Sequence, residues 1–190
     1  MEFAAYGGEY REIQEKDMVT AMFEDNDINE IDPKAMLSDI CDAFRGIENE
    51  VHYRDDSDYD YLTDNEVCLI LSNPRGDNIF IDLRTEFTLS FAGYEGVFFP
   101  DEEGYKLMLG VIRGLIGGEF CAAVLTAASN GETASIIAPA EDAGKTASEI
   151  FPTEMLPEDF AENILEGGGT LRLCFWDQSR NRTEDIQPEA

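Results

Sequence analysis

The sequence predicts an α+β fold: a single domain with a largely antiparallel sheet and helices packed against it. Three observations carry that reading. Phe87, Leu89 and Phe91 alternate with Glu86, Thr88 and Ser90, the period of a strand with one apolar and one polar face. Tyr105, Met108, Leu109, Ile112, Leu115 and Ile116 then recur at helical spacing and make one apolar stripe. Asn130-Gly131, set between two strand-like runs, is a hairpin signal and so favours antiparallel pairing. At 190 residues and 43% hydrophobic content the chain supports one core.

Taken in order, residues 1–31 read as an extension. Tyr6, Tyr10 and Ile13 fall on one helical face there, and Met18, Val19, Met22 and Phe23 form an apolar cluster. Asp32-Pro33 is an N-cap followed by proline at the first helical position. Met36, Leu37, Ile40, Cys41, Phe44 and Ile47 carry that helix to Ile47. Val51–Arg54 reads as a short strand, Asp55–Tyr61 as an acidic loop and Val67–Leu71 as a buried strand. Asn73–Asn78 is the turn into a strand from Ile79 to Phe91, whose first part, Ile79 to Ile81, is buried on both sides or changes face at a bulge near Leu83 and Arg84.

Ala92–Gly96 carries two glycines and reads as a turn, with Val97–Phe99 a second short strand or an apolar corner. Pro100-Asp101-Glu102-Glu103 opens the apolar-striped helix, its acids sitting at the favourable end of the helix dipole. Gly104, Gly110 and Gly114 each cost a helix interior about 1 kcal/mol relative to alanine, and close packing on the sheet is the reading that accounts for them. Gly117-Gly118 ends the helix. Phe120–Ala128 and Thr133–Pro139 are the arms of the hairpin. A helix opening at Leu156-Pro157-Glu158-Asp159 carries Phe160, Ile164 and Leu165 and stops at Gly167-Gly168-Gly169. Leu171, Leu173 and Phe175 mark a last strand, and the polar tail 177–190 is expected to fray.

The formal net charge is -28. Residues 1–66 hold 20 acids and 5 bases, whereas residues 67–139 hold 9 and 4. The excess therefore falls on whatever surface the first third of the chain builds. Such a charge disfavours nucleic acid and anionic membrane as partners and favours a basic protein; solubility alone also accounts for it. No run approaches the length of a membrane span, and the first residues lack a basic leader pattern, so a cytoplasmic protein is expected. Cys41, Cys68, Cys121 and Cys174 are widely spaced and read as reduced, buried thiols.

No catalytic constellation stands out. His52 is the only histidine, which excludes a multi-histidine metal site and reads as structural or exposed. No serine sits in a nucleophile elbow, and no glycine-rich phosphate loop precedes a helix, so no cofactor is expected. Counting an EF-hand from Asp56 puts Asp58 and Asp60 at ligand positions, but Tyr61 and Val67 stand where glycine and glutamate are needed. Counted from Asp25, the pattern fails at Glu30 and Met36 in the same way. Glu95, Asp101, Glu102 and Glu103 are the carboxylates from which an acid and base pair would be drawn, although helix-start acids explain the last three. The candidate partner-binding residues are Asp55, Asp56, Asp58, Tyr59, Asp60, Tyr61 and Asp64, where tyrosine contact area alternates with steering charge. A solvated charge run is the plainer reading of the same stretch.

Glu86-Phe87-Thr88-Leu89-Ser90-Phe91, the glycine turn, the aromatic corner Phe98-Phe99 and the acidic helix start together resemble small acidic α/β immunity-type proteins of bacterial toxin systems. The resemblance covers residues 77–120. Histidines alternate near the corner in that pattern, where this chain has Glu95 and Val97, so no role of those histidines transfers. What the resemblance implies is a non-enzymatic, protein-binding domain that inhibits a basic toxin domain. Two alternatives stand beside it: a carboxylate-dependent hydrolase using Glu95 or Glu103, and an accessory ligand-binding or structural domain.

Overall fold

Every residue of the strand Val67–Leu71 is buried, so its sheet has to be covered on both faces. The computed structural model, which describes residues 32–188, shows how. The extension expected over residues 1–31, with its clusters at Tyr6 to Ile13 and Met18 to Phe23, lies outside the described residues.

Helix α1 (Pro33–Ala43) precedes five strands: β1 (Asn49–His52), β2 (Val67–Leu71), β3 (Ile79–Leu83), β4 (Phe87–Phe91) and β5 (Tyr94–Phe98). They form an antiparallel meander in that spatial order. Helix α2 (Glu102–Gly117) leads to β6 (Phe120–Ala127) and β7 (Thr133–Pro139). Helices α3 (Ala147–Ile150) and α4 (Glu158–Gly167) follow, then β8 (Gly169–Cys174) and β9 (Arg182–Ile186). The last four strands make a second antiparallel sheet, ordered β7-β6-β8-β9. The fold is α+β, as the sequence predicts, with two antiparallel sheets.

Several boundaries follow from side-chain chemistry. Asp32 caps α1 by accepting from the Lys34 amide at 3.0 Å, with Pro33 at the first helical position. The helix ends at Ala43, short of Ile47. Asp101 caps α2 by accepting from the Gly104 amide at 2.7 Å, and Gly118, in the left-handed region at φ 73°, ends it. The turn between β4 and β5 holds Ala92 at φ 53° and Gly93 at φ 96°, the two positive angles of a tight two-residue hairpin.

Three expectations are corrected. The run from Ile79 to Phe91 is two strands, not one with a change of face: Arg84-Thr85-Glu86 reverses the chain, and Leu83 pairs with Phe87. None of those three is glycine, proline or asparagine, so the turn carries no sequence signature. The stretch Tyr94–Phe98 is one full strand and not a turn with a corner, because the hairpin is completed within Ala92-Gly93. The tail does not fray from Asp177. A 3-10 turn at Gln178–Arg180, with Asp177 accepting from Ser179, sends Arg182–Ile186 back along β8 as its antiparallel partner.

One core spans both sheets. Leu69, Ile81, Leu89 and their neighbours on the inner face of the meander pack with Met36 and Ile40 of α1 and with Met108, Ile112 and Leu115 of α2. Ala122 and Cys174, on the near face of the second sheet, close the same cluster. The far face of that sheet, with Ala123, Leu125, Leu171 and Leu173, packs on Phe151 and Phe160 from the α3 and α4 region.

The helix glycines divide by what surrounds them. A Cβ at Gly104 would lie 2.2 Å from the Phe99 carbonyl oxygen, and one at Gly114 would lie 2.1 Å from the Phe120 ring. A Cβ at Gly110 would meet nothing within 4 Å. Gly110→Ala is therefore expected to raise stability by about 1 kcal/mol through helix propensity alone. Gly104→Ala is expected to lower it by about 2 kcal/mol through the backbone clash. Urea denaturation of the two variants measures both; equal effects would mean that α2 does not pack as described.

Candidate functional site

The outer face of the meander is read directly from its register. One cross-strand row runs His52, Cys68, Asp82, Thr88, Val97, and the next runs Glu50, Ile70, Phe80, Ser90, Glu95. On β2 this face is apolar, with Cys68 and Ile70 both buried. The loop between β1 and β2 folds back and covers them.

Backbone hydrogen bonds shape that loop at three-residue intervals. The Asp56 amide donates to the Tyr53 carbonyl at 3.0 Å, the Tyr59 amide to Asp56 at 2.9 Å, and the Leu62 amide to Tyr59 at 3.0 Å. Within this loop Leu62 and Tyr59 face the sheet. Leu62, only 2% exposed, joins Cys68 and Ile70 in a small apolar cluster, with Tyr59 packed against it. The Tyr59 ring stacks on His52 with centroids 4.1 Å apart and an interplanar angle of 7°. Asp56 accepts from the Tyr53 amide at 3.0 Å and lies 3.4 Å from His52 Nδ1.

The seven candidate residues therefore separate. Asp55, Asp58 and Asp60 point outward, exposed, with no side-chain partner among the described residues. Tyr59 packs inward, while Asp56, itself exposed, engages the Tyr53 amide and His52. Asp64 is exposed but tied to Arg54 at 2.9 Å, while its carbonyl accepts from Lys34 Nζ at 3.1 Å. Tyr61 is 46% exposed, and its hydroxyl donates to the Asp82 carboxylate at 3.3 Å. Burial of the hydroxyl, then the Asp82 charge, pushes that phenol well above its ordinary range. The Arg84 guanidinium lies 5.4 Å from the Tyr61 ring centroid.

The C-terminal end of the loop is pinned by Glu66, which is 7% exposed. Burial alone would raise its carboxyl. The Thr63 amide donating at 2.7 Å, and Arg84 at 3.6 Å, outweigh burial and hold it below the usual carboxylate range.

Beyond the loop, the β3–β5 half of the outer face is open. Phe80 is 43% exposed, Val97 60%, and Thr88 and Ser90 are half-buried. At one end Asp77, Phe80, Ser90 and Glu95 line a hollow of about 350 Å3. Sequence reasoning missed this half as part of a site. The signal was present in the polar alternates Thr88 and Ser90, which had to face something other than the core.

No family model, curated protein or solved structure matches the chain. The residues alone therefore decide what the site can do. His52, Cys68 and Asp82 are cross-strand neighbours, the components of a thiol mechanism, but burial and then the adjacent Asp82 push the Cys68 thiol up to about 12. A buried, protonated thiol is a poor nucleophile. The carboxylates of the hydrolase alternative do not converge: Glu95 lies on the outer face, Asp101 is spent as a helix cap, Glu102 pairs with Lys106, and Glu103 is exposed in the first turn of α2. No group of three or more metal-ligating side chains is gathered among the described residues, nor is any described helix long and apolar enough to cross a membrane.

Two measurements check this geometry. Glu66→Gln is expected to cost about 2 kcal/mol at pH 7, the order for a hydrogen bond to a buried charge. Because the folded-state pKa is lowered, that contribution is present above the unfolded value near 4 and is lost as the pH falls through the folded one. The gap between wild type and variant in urea denaturation should therefore close below about pH 4. A gap unchanged down to pH 2.5 would contradict a buried, ionised Glu66. Iodoacetamide at pH 8 should leave Cys68 unmodified in the native protein and label it in urea, read by mass spectrometry; rapid native labelling would show that the loop does not cover the thiol.

Proposed function

We propose that this chain is a non-enzymatic, protein-binding domain that docks a basic partner on the outer face of the meander, as an immunity-type inhibitor docks a toxin domain. One observation carries the reading. The acidic loop is fixed to the sheet by Leu62 and Tyr59, yet Asp55, Asp58 and Asp60 are left exposed and without a side-chain partner among the described residues, on the outer face that also exposes Tyr61, Phe80 and Val97. Asp56, by contrast, is engaged with the Tyr53 amide and His52.

The combination suits a partner with clustered lysine and arginine. Exposed aromatic and aliphatic side chains supply contact area, and a ring of preorganised carboxylates supplies steering and register. The hollow between Asp77, Phe80 and Glu95 has the chemistry to take one long cationic side chain, with carboxylates at its rim and an aromatic ring on its wall. A partner whose basic surface binds nucleic acid would be occluded by such a face.

The test is capture from nuclease-treated lysate of the native host, at low and high salt, followed by affinity measurement on the protein retained. The triple charge reversal Asp55→Lys, Asp58→Lys and Asp60→Lys should weaken binding by at least about tenfold and flatten its salt dependence. Phe80→Ala should weaken binding and leave the salt slope as it was. Unchanged affinity in both variants would remove the outer face as the site.

A further inference from the structure

A second surface lies on the opposite side of the molecule, against the far face of the second sheet. Leu125, Phe151, Leu156, Ile164, Leu165 and Ile186 line a groove of about 310 Å3 between α3, α4 and β9. Leu165 of that lining is 39% exposed, and Met155, which lies in the chain between the lining residues Thr153 and Leu156, is 61% exposed. The same lining includes Thr146, Thr153, Glu184 and Asp185, so the groove pairs apolar and acidic side chains; exposed methionine and leucine beside such a groove are characteristic of surfaces that receive apolar side chains.

The surroundings state the charge of the occupant. Glu154 adjoins Met155, and Glu158, Glu162 and Glu166 flank the α4 lining residues; all four are exposed and have no side-chain partner among the described residues. The two bases nearby are turned to internal partners. Lys145 pairs with Asp142 at 2.7 Å, and Arg182 donates to the Ala143 and Lys145 carbonyls and pairs with Glu184. A ligand with an anionic head group would find no free cation there among the described residues. A second copy carries the full charge of -28 and is repelled.

We propose that this groove receives a cationic amphipathic segment of a partner protein. Its apolar side chains seat on Leu156, Ile164, Leu165 and Ile186, and its lysines or arginines lie over Glu154, Glu158 and Glu162. This reading goes beyond the outer-face proposal and does not depend on it, since the two surfaces share no residue.

The experiment titrates the protein with a fluorescent amphipathic helical peptide of leucine and lysine, and with a peptide of the same composition in an order that forms no apolar face. The decisive variants are Met155→Asp and Leu165→Asp, which add negative charge while removing apolar contact. If attraction were electrostatic alone, they would tighten binding; if the groove seats apolar side chains, they weaken it. The expected result is at least tenfold tighter binding of the amphipathic peptide, at least tenfold loss in each variant, and no change in the triple charge reversal of the outer face. Met155→Ala, at an exposed position, checks that a loss does not come from misfolding and should give a smaller loss in the same direction. Equal binding of the two peptides, or binding that is unchanged or stronger in the aspartate variants, overturns the proposal. Loss of binding only in the outer-face variant would assign the peptide to that face and overturn it too.

Discussion

The structure depends on one constraint: β2 is apolar on both of its faces. Its inner face is covered by α1, α2 and the second sheet, as in any layered α+β domain. Its outer face, at Cys68 and Ile70, lies next to His52 on one side and Phe80 and Asp82 on the other, and no helix among the described residues covers it. The connection from β1 to β2 has to provide the cover, and Leu62 and Tyr59 do so. With those two inward, Asp55, Asp58 and Asp60 are left exposed around them. The exposure of the acids thus accompanies a packing requirement on β2, the strand the loop covers.

A related constraint governs the second half of the chain. Strand β6 is buried along most of its length, with Ala122, Ala123 and Ala127 among its fully buried residues. Small side chains on both faces allow α2 to approach from one side and α4 from the other. The same economy appears at Gly114, which admits the Phe120 ring at the start of β6. The two sheets are joined through this shared middle, and for that reason a single core cluster contains residues from Met36 to Cys174.

How much of this was legible depended on whether the cause was local. The caps at Asp32 and Asp101, the left-handed stop at Gly118 and the Asn130-Gly131 hairpin are local chemistry and are plain in the sequence. The reversal at Arg84-Thr85-Glu86 is not, because its residues fit a strand as well as a turn and only the pairing of Leu83 with Phe87 selects the turn. Strand β9 is hidden for another reason: Arg182-Thr183-Glu184-Asp185-Ile186 is a polar edge, and its strand state comes from the partner β8. At the candidate site the charge was conspicuous and its division was not. The readable clue was the recurrence of Tyr53, Asp56, Tyr59 and Leu62 every three residues, with a lone leucine in an otherwise polar loop. The open half, at Phe80 and Val97, became visible only when register set those residues in the same rows as His52 and Ile70.

The central claim is that the acidic loop is a fixed surface, held by the outer apolar face of the sheet. Hydrogen exchange of the Tyr59 and Leu62 amides in the isolated protein at neutral pH tests it most directly, since both amides donate to backbone carbonyls within the loop. The account predicts exchange far slower than in an unfolded chain, with faster exchange of both amides in Leu62→Ala while the β2 and β3 amides stay protected. Exchange of both at unfolded-chain rates in the wild-type protein would show that the loop is not preorganised and would contradict the account.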